Sequence, residues 1–348
     1  MLKTISVTCF KSINELTIEL KNFNLLTGTN SSGKSSLMQS LLLISQNLDN
    51  TYGLNGPLVS VGDYRDAKNY NMSSNSISVE VKGDVDSVGV IFRENQERTL
   101  TGNIDSDLAK KIRYANNTLH YLSCNRIGSQ DIYRKNRTVN PGVGSNGEYT
   151  MDFLSNNKDM PLDEEIVKDK SNYTLLAQVN YWLDYIVGAN IKVEEILGTD
   201  VVKASYGIVE GKYSRPNNVG SGISYLISII VMCLGSERGS ILLIENPEIH
   251  LHPLSQSRLC EFLYFVSEAN RQLIIETHSD HIFNALRVGI AKGTMESKNI
   301  AINFMLLGSD NCTRNHVITI RGHGRIDNPI PNLFDQFQLD LDKMIGLK

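Results

Sequence analysis

The chain has 348 residues, with 34 Lys and Arg against 38 Asp and Glu and a formal net charge of -4. Its 41% hydrophobic and 21% charged composition argues against wholesale disorder and is enough for one large domain or two modest ones. The slight acidity excludes a global attraction to nucleic acid and leaves room only for a local basic patch.

In chain order, residues 16–20 (LTIEL) alternate apolar and polar, the period of a half-buried strand, and residues 23–27 (FNLLT) read as a second. Residues 50–75 are rich in Asn, Gly, Asp and Ser and read as loop; 76–81 (SISVEV) and 88–92 (VGVIF) are further strands. From 99 to 212 short helical stretches, notably 173–187, alternate with polar loops, as in an insertion without the sustained heptads of a coiled-coil arm. The last third alternates helix and strand. Helices are expected over 221–234, 253–270 and 281–288, with buried strands at 240–245 (SILLIE), 272–276 (QLIIE), 300–307 and 316–320. The unbroken apolar runs suit a parallel sheet covered on both faces. This gives an α/β fold in three parts: an N-terminal lobe (1–98), an inserted, partly helical subdomain (99–212) and a C-terminal lobe (213–348). Five cysteines without a CxxC pair point to a reducing compartment, and residues 1–16 lack a secretory pattern. The apolar run 223–234 is too short to span a bilayer. A cytoplasmic protein without a membrane partner is expected.

Four motifs carry chemistry. In residues 28–35 (GTNSSGKS), glycines at Gly28 and Gly33 let the backbone curl so that N–H groups converge on phosphate. Lys34 brings a charge to the β- and γ-phosphates, Ser35 offers a hydroxyl to Mg²⁺, and a strand before and a helix after complete the context. In ILLIENPE, Glu245 ends a buried strand where an acidic group can hold Mg²⁺; a capping or solvated Glu is the plainer alternative. In IIETHSD, His278 at a strand end can reach the γ-phosphate or the attacking water, whereas a lone His would more simply be satisfied at the strand edge. NVGSGIS opens an apolar helix, either as an anion site at Ser221 and Gly222 or as an ordinary N-cap.

In this order the motifs resemble the ABC-type ATPase heads of the SMC and overcoming-lysogenization-defect (OLD) class, and hence a P-loop NTPase fold of ABC/SMC-head type. LNGPLVSVGDYRD, LHYLSCNRIGS and GRIDNPIPNLFDQ are similar to a bacterial family of short ATPases, many of which sit in anti-phage defence operons beside a nuclease or another effector. The resemblance implies ATP between two heads. Gly28, Asn30, Ser31, Ser32, Gly33, Lys34, Ser35 and Ser36 would bind nucleotide on one subunit, with Ser35 and Glu245 on Mg²⁺. Ser221 and Gly222 would meet the γ-phosphate from the other subunit, His278 matches the switch histidine, and Lys11 and Ser12 match residues near the base. Such heads carry Asp then Glu at the strand end; here Glu245 and Asn246 stand there. Asn cannot serve as a proton acceptor, which leaves Glu248 as the nearest general base, with Glu245 and His278 as its catalytic companions. A zinc site at His250, His252, His278 and His281 is rejected, since no cysteine accompanies them. The implied partners are a second copy in an ATP-dependent dimer or higher oligomer, a separate effector such as a nuclease, and possible DNA. A DNA repair or bridging ATPase and a self-sufficient nuclease are the rival readings.

Overall fold

A computed structural model describes residues 1–95, 97–138, 142–209 and 211–347. Its centre is a six-stranded mixed sheet in the order Thr313–Ile318, Ile300–Leu307, Phe23–Gly28, Gln272–Glu276, Ile241–Glu245, Leu119–Leu122. All pairings in it are parallel except that of Thr313–Ile318 with Ile300–Leu307. The four innermost strands need apolar residues on both faces, and the sequence supplies them by alternation. Phe23, Leu25, Leu242, Ile244, Leu273 and Ile275 enter one core with the helices Leu175–Val187, Ser221–Gly235 and Pro253–Glu268. Leu26, Leu243, Ile274 and Met305 enter a second core with the helix Lys34–Asn47. This second core is closed by a five-stranded antiparallel sheet in the order Ile13–Glu19, Thr4–Phe10, Ser76–Lys82, Ser87–Arg93, Arg98–Gly102.

Three departures from the sequence reading matter. The strand Thr4–Phe10 precedes the first expected one and pairs with it through a tight turn in which Lys11 takes φ 50°. The boundary expected at residue 99 falls inside the strand Arg98–Gly102, and Leu119–Leu122 is an edge strand of the central sheet rather than part of an insertion. The middle segment also holds a second antiparallel sheet, in which Asn190–Glu195, Tyr133–Arg134 and Lys212–Ser214 all pair with Val201–Val209. Its period-two alternation buries Ile191, Val193, Val202, Ala204 and Tyr206, which is what a sheet with one covered face requires. Among the described residues, no helix is long and apolar enough to cross a membrane.

Candidate functional site

The loop between the strand Phe23–Gly28 and the helix Lys34–Asn47 places Gly28, Ser31 and Gly33 at φ 135°, 60° and 100°. Such switches of hand turn successive N–H groups toward one side, where an anion fits. The glycines are also fixed by close packing. A Cβ on Gly28 would lie 1.8 Å from the Met305 carbonyl oxygen, and one on Gly33 would lie 2.4 Å from Thr313 Oγ1. Thr313 Oγ1 donates to the Ser32 carbonyl at 2.9 Å, so the Ser12 hydroxyl, 2.9 Å away, donates to Thr313. Lys11 Nζ donates to Gln39 Oε1 at 2.6 Å. One cleft of about 450 Å³ is lined by Lys11, Ser12, the loop residues Asn30, Ser31, Ser32, Gly33, Lys34, Ser35 and Ser36, and by Asn246, Glu276 and His278.

The electrostatics of the cleft follow from burial. Lys34 is 3% exposed and its ammonium donates to the Thr29 carbonyl at 2.7 Å and the Gly28 carbonyl at 3.2 Å. Burial lowers its pKa from the ordinary lysine value, and the Glu276 carboxylate works in the opposite sense. His278 is lowered first by burial and then by Lys34, which favours the neutral imidazole. Glu276 is 4% exposed; burial, with Glu245 and Glu248 nearby, pushes its carboxyl up to about 7 against the pull of Ser35 and Lys34.

The three acidic residues have different surroundings. Glu276 Oε1 accepts from Ser35 Oγ at 2.8 Å, and its Oε2 is buried without a hydrogen-bond partner. Both Glu245 oxygens face protein donors, the Tyr121 hydroxyl and the Cys124 N–H, each at 3.0 Å. The buried Arg126 guanidinium holds the same turn by donating to the Glu245 and Asn246 carbonyls, each at 2.6 Å. Beyond it Asn246 takes φ 41°, and Glu248 Oε1 accepts the His278 N–H at 2.8 Å. Burial raises the Glu248 carboxyl, opposed by that N–H, and its Oε2 has no partner.

Of the residues expected from sequence, Asn30, Ser31, Ser32, Gly33, Lys34, Ser35 and Ser36 with Lys11, Ser12 and His278 therefore meet in one cleft, and Gly28 opens the loop without lining that cleft. Glu245 and Glu248 do not line it. Ser221 and Gly222 start the helix Ser221–Gly235 away from the cleft lining, and a Cβ on Gly222 would lie 2.5 Å from the His250 carbonyl oxygen. Glu276, Thr313 and Arg126 were not expected. For Glu276 a signal existed, since QLIIE ends a buried strand in Glu just as SILLIE does. An unpartnered buried oxygen on Glu276, whose other oxygen bonds the Ser35 hydroxyl, suits a hard, oxygen-seeking cation such as Mg²⁺. No group of three or more His, Cys, Asp or Glu able to hold a metal occurs among the described residues, and the four histidines do not gather into a zinc site.

The fold is similar to several SMC heads. One bound to the C-winged helix domain of ScpA aligns at TM-score 0.58 with 10% identity, covering 92% of this chain and 98% of that one. One with an extended coiled coil, bound to the C-terminal domain of ScpA derived from Pyrococcus furiosus, aligns at 0.57 with 10% identity over 99% of both chains. The SMC head domain from Thermotoga maritima aligns at 0.50 with 12% identity, over 92% of this chain and 99% of that one. At these identities the likeness shows the fold. A search of curated proteins finds no significant match. The sequence profile of the AAA ATPase domain matches residues 1–174 and 151–283, so the phosphate loop, the Glu245 strand and His278 all fall within it, and the chain belongs to the AAA ATPase domain family.

Proposed function

We propose that the chain binds ATP with Mg²⁺ in this cleft, hydrolyses it, and associates with a second copy while ATP is bound. The observation that carries the reading is the convergence of residues 30–36, Lys34 and Ser35 among them, and His278 on one cleft at a helix N-terminus. Gly28, Asn30, Ser31, Ser32 and Gly33 present the cradle; Lys34 meets the β- and γ-phosphates; Ser35 and an acidic neighbour hold the cation. Bound Mg²⁺ neutralises phosphate charge. Hydrolysis also needs an acceptor for the water's proton. Asn246 lines the cleft without a basic atom, and Glu248, which accepts the backbone N–H of the cleft residue His278, keeps one buried, unpartnered oxygen, so Glu248 is assigned as the base. His278, neutral and in the cleft, orients water or senses the γ-phosphate.

Ser221 and Gly222 lie away from this cleft, which supports a composite site completed by the partner copy's helix N-terminus. Head association would then regulate a separate effector, a nuclease, in bacterial anti-phage defence. The binding of another protein's domain by two of the SMC heads above is consistent with a separate partner. DNA bridging in repair remains the rival role. Light scattering with and without Mg·ATP tests the core of the proposal. The parent is expected to associate with ATP, and Lys34→Ala and Ser221→Arg to stay in the nucleotide-free state, the first for lack of phosphate binding and the second by crowding positive charge at the interface. The same oligomer in every case would refute the composite site.

A further inference from the structure

We propose that Glu276, not Glu245, is the protein carboxylate that holds Mg²⁺ beside Ser35. The assignment rests on the reading of the cleft as an ATP site and says which side chain meets the cation there.

Strand order poses the choice between two acids, and the side chains decide it. The strands Ile241–Glu245 and Gln272–Glu276 run parallel in a register that pairs Glu245 with Glu276, so both end in an acid at the same level. Only the second strand lies next to the phosphate-loop strand, where Glu276 pairs with Leu26. Glu245 is one strand further out, and at about 4.8 Å per strand its backbone stands roughly 10 Å from the loop strand. The side chains agree with the backbone. Ser35 Oγ, the hydroxyl at the start of the loop's helix, donates to Glu276 Oε1 at 2.8 Å. Glu276 is 4% exposed, keeps one oxygen without a partner and lines the cleft. Glu245 is committed at both oxygens, to Tyr121 and to the Cys124 N–H, and does not line it. Its carboxylate ties the strand end to the 121–124 segment.

Charge strengthens the argument. A carboxylate facing a triphosphate across a small cleft repels it unless a cation lies between them. Mg²⁺ takes one or two carboxylates together with phosphate and hydroxyl oxygens, and Ser35 with Glu276 supplies that set. On cation binding the Ser35 hydroxyl turns its oxygen from Glu276's hydrogen-bond partner into a fellow ligand.

Manganese titration followed by electron paramagnetic resonance, with ADP present, tests this, alongside calorimetry of ATP with EDTA. In Glu276→Gln the affinity for Mn²⁺ in the ADP complex is expected to fall about tenfold or more, the usual scale for losing metal-site support. Its metal-free ATP affinity should exceed the parent's, a rise that a merely structural role would not produce. Glu245→Gln is expected to keep Mn²⁺ affinity. Glu276→Asp, with the carboxylate drawn back by one methylene, should weaken Mn²⁺ several-fold and offers the same comparison should the Gln variant fold poorly. Undiminished Mn²⁺ affinity in both Glu276 variants, or an equal or larger loss in Glu245→Gln, overturns the assignment alone. A parent chain that binds no nucleotide removes the ATP reading and this assignment with it.

Discussion

Replacing Gly28 by Ala joins fold and site in one residue. The added methyl carbon would lie 1.8 Å from the Met305 carbonyl oxygen and 2.7 Å from both the Met305 amide nitrogen and its carbonyl carbon. These are backbone atoms of the neighbouring parallel strand, so no rotamer change relieves the contact. The strands must part, and the Thr29 N–H to Met305 carbonyl bond of 3.1 Å goes with them. Overpacking of this kind costs about 1–3 kcal/mol and a non-glycine residue at positive φ another ~1–2 kcal/mol, so Gly28→Ala is expected to lose about 2–5 kcal/mol. Gly188 provides the control. It caps the helix Leu175–Val187 at φ 69° with nothing within 4 Å of the methyl that alanine would add, so Gly188→Ala carries only the backbone part, ~1–2 kcal/mol. Urea unfolding followed by far-ultraviolet circular dichroism measures both. ATP affinity, by calorimetry on the folded variants, should be lost for Gly28→Ala and kept for Gly188→Ala. Equal destabilisation of the two, with ATP binding intact in Gly28→Ala, would refute the close approach of loop and strand.

Two further outcomes are expected. Metal-free protein should lose stability as pH rises from about 4.5 to above 7, because the Glu276 carboxyl sits at about 7 in the fold against 4.5 when unfolded. That stabilisation is complete below 4.5 and amounts to at most about 3 kcal/mol. Thermal melts in EDTA at pH 5 and 8 should show the fall in the parent and a smaller one in Glu276→Gln; parallel curves would count against it. In single-turnover ATPase assays Glu248→Gln should be slowed about tenfold or more with ATP binding intact, while Asn246→Asp does little harm. Normal turnover in Glu248→Gln with a dead His278→Ala would move the chemistry to the histidine.

The phosphate loop was legible because its information is local: two glycines, a lysine and a serine in eight consecutive residues, between a strand and a helix. The buried strands were legible for the same reason, since their alternating residues feed two cores and so read as unbroken apolar runs. What sequence could not supply is pairing. Two strands of the central sheet end in Glu, and which of them lies beside the loop is decided by the hydrogen-bonded order of segments far apart in the chain. Thr313, which clamps Ser32, is invisible for the same reason. In the middle segment the short strands Tyr133–Arg134 and Lys212–Ser214 have too few residues for any period to register.

The sheet order also governs when the site can exist during synthesis. The loop leaves the ribosome well over two hundred residues ahead of its neighbours, for its strand is flanked by Gln272–Glu276 and Ile300–Leu307. At about 5–20 residues per second, tens of seconds pass before Met305 and Thr313 are made and can close around Gly28 and Gly33. Until then the nascent N-terminal lobe displays the bare edges of a strand destined for the middle of a parallel sheet. Those edges offer a template to any neighbouring chain. Those edges stay open until the strand Ile300–Leu307 has been made, and the finished phosphate cradle cannot form before Thr313, so nucleotide cannot serve as an early folding ligand.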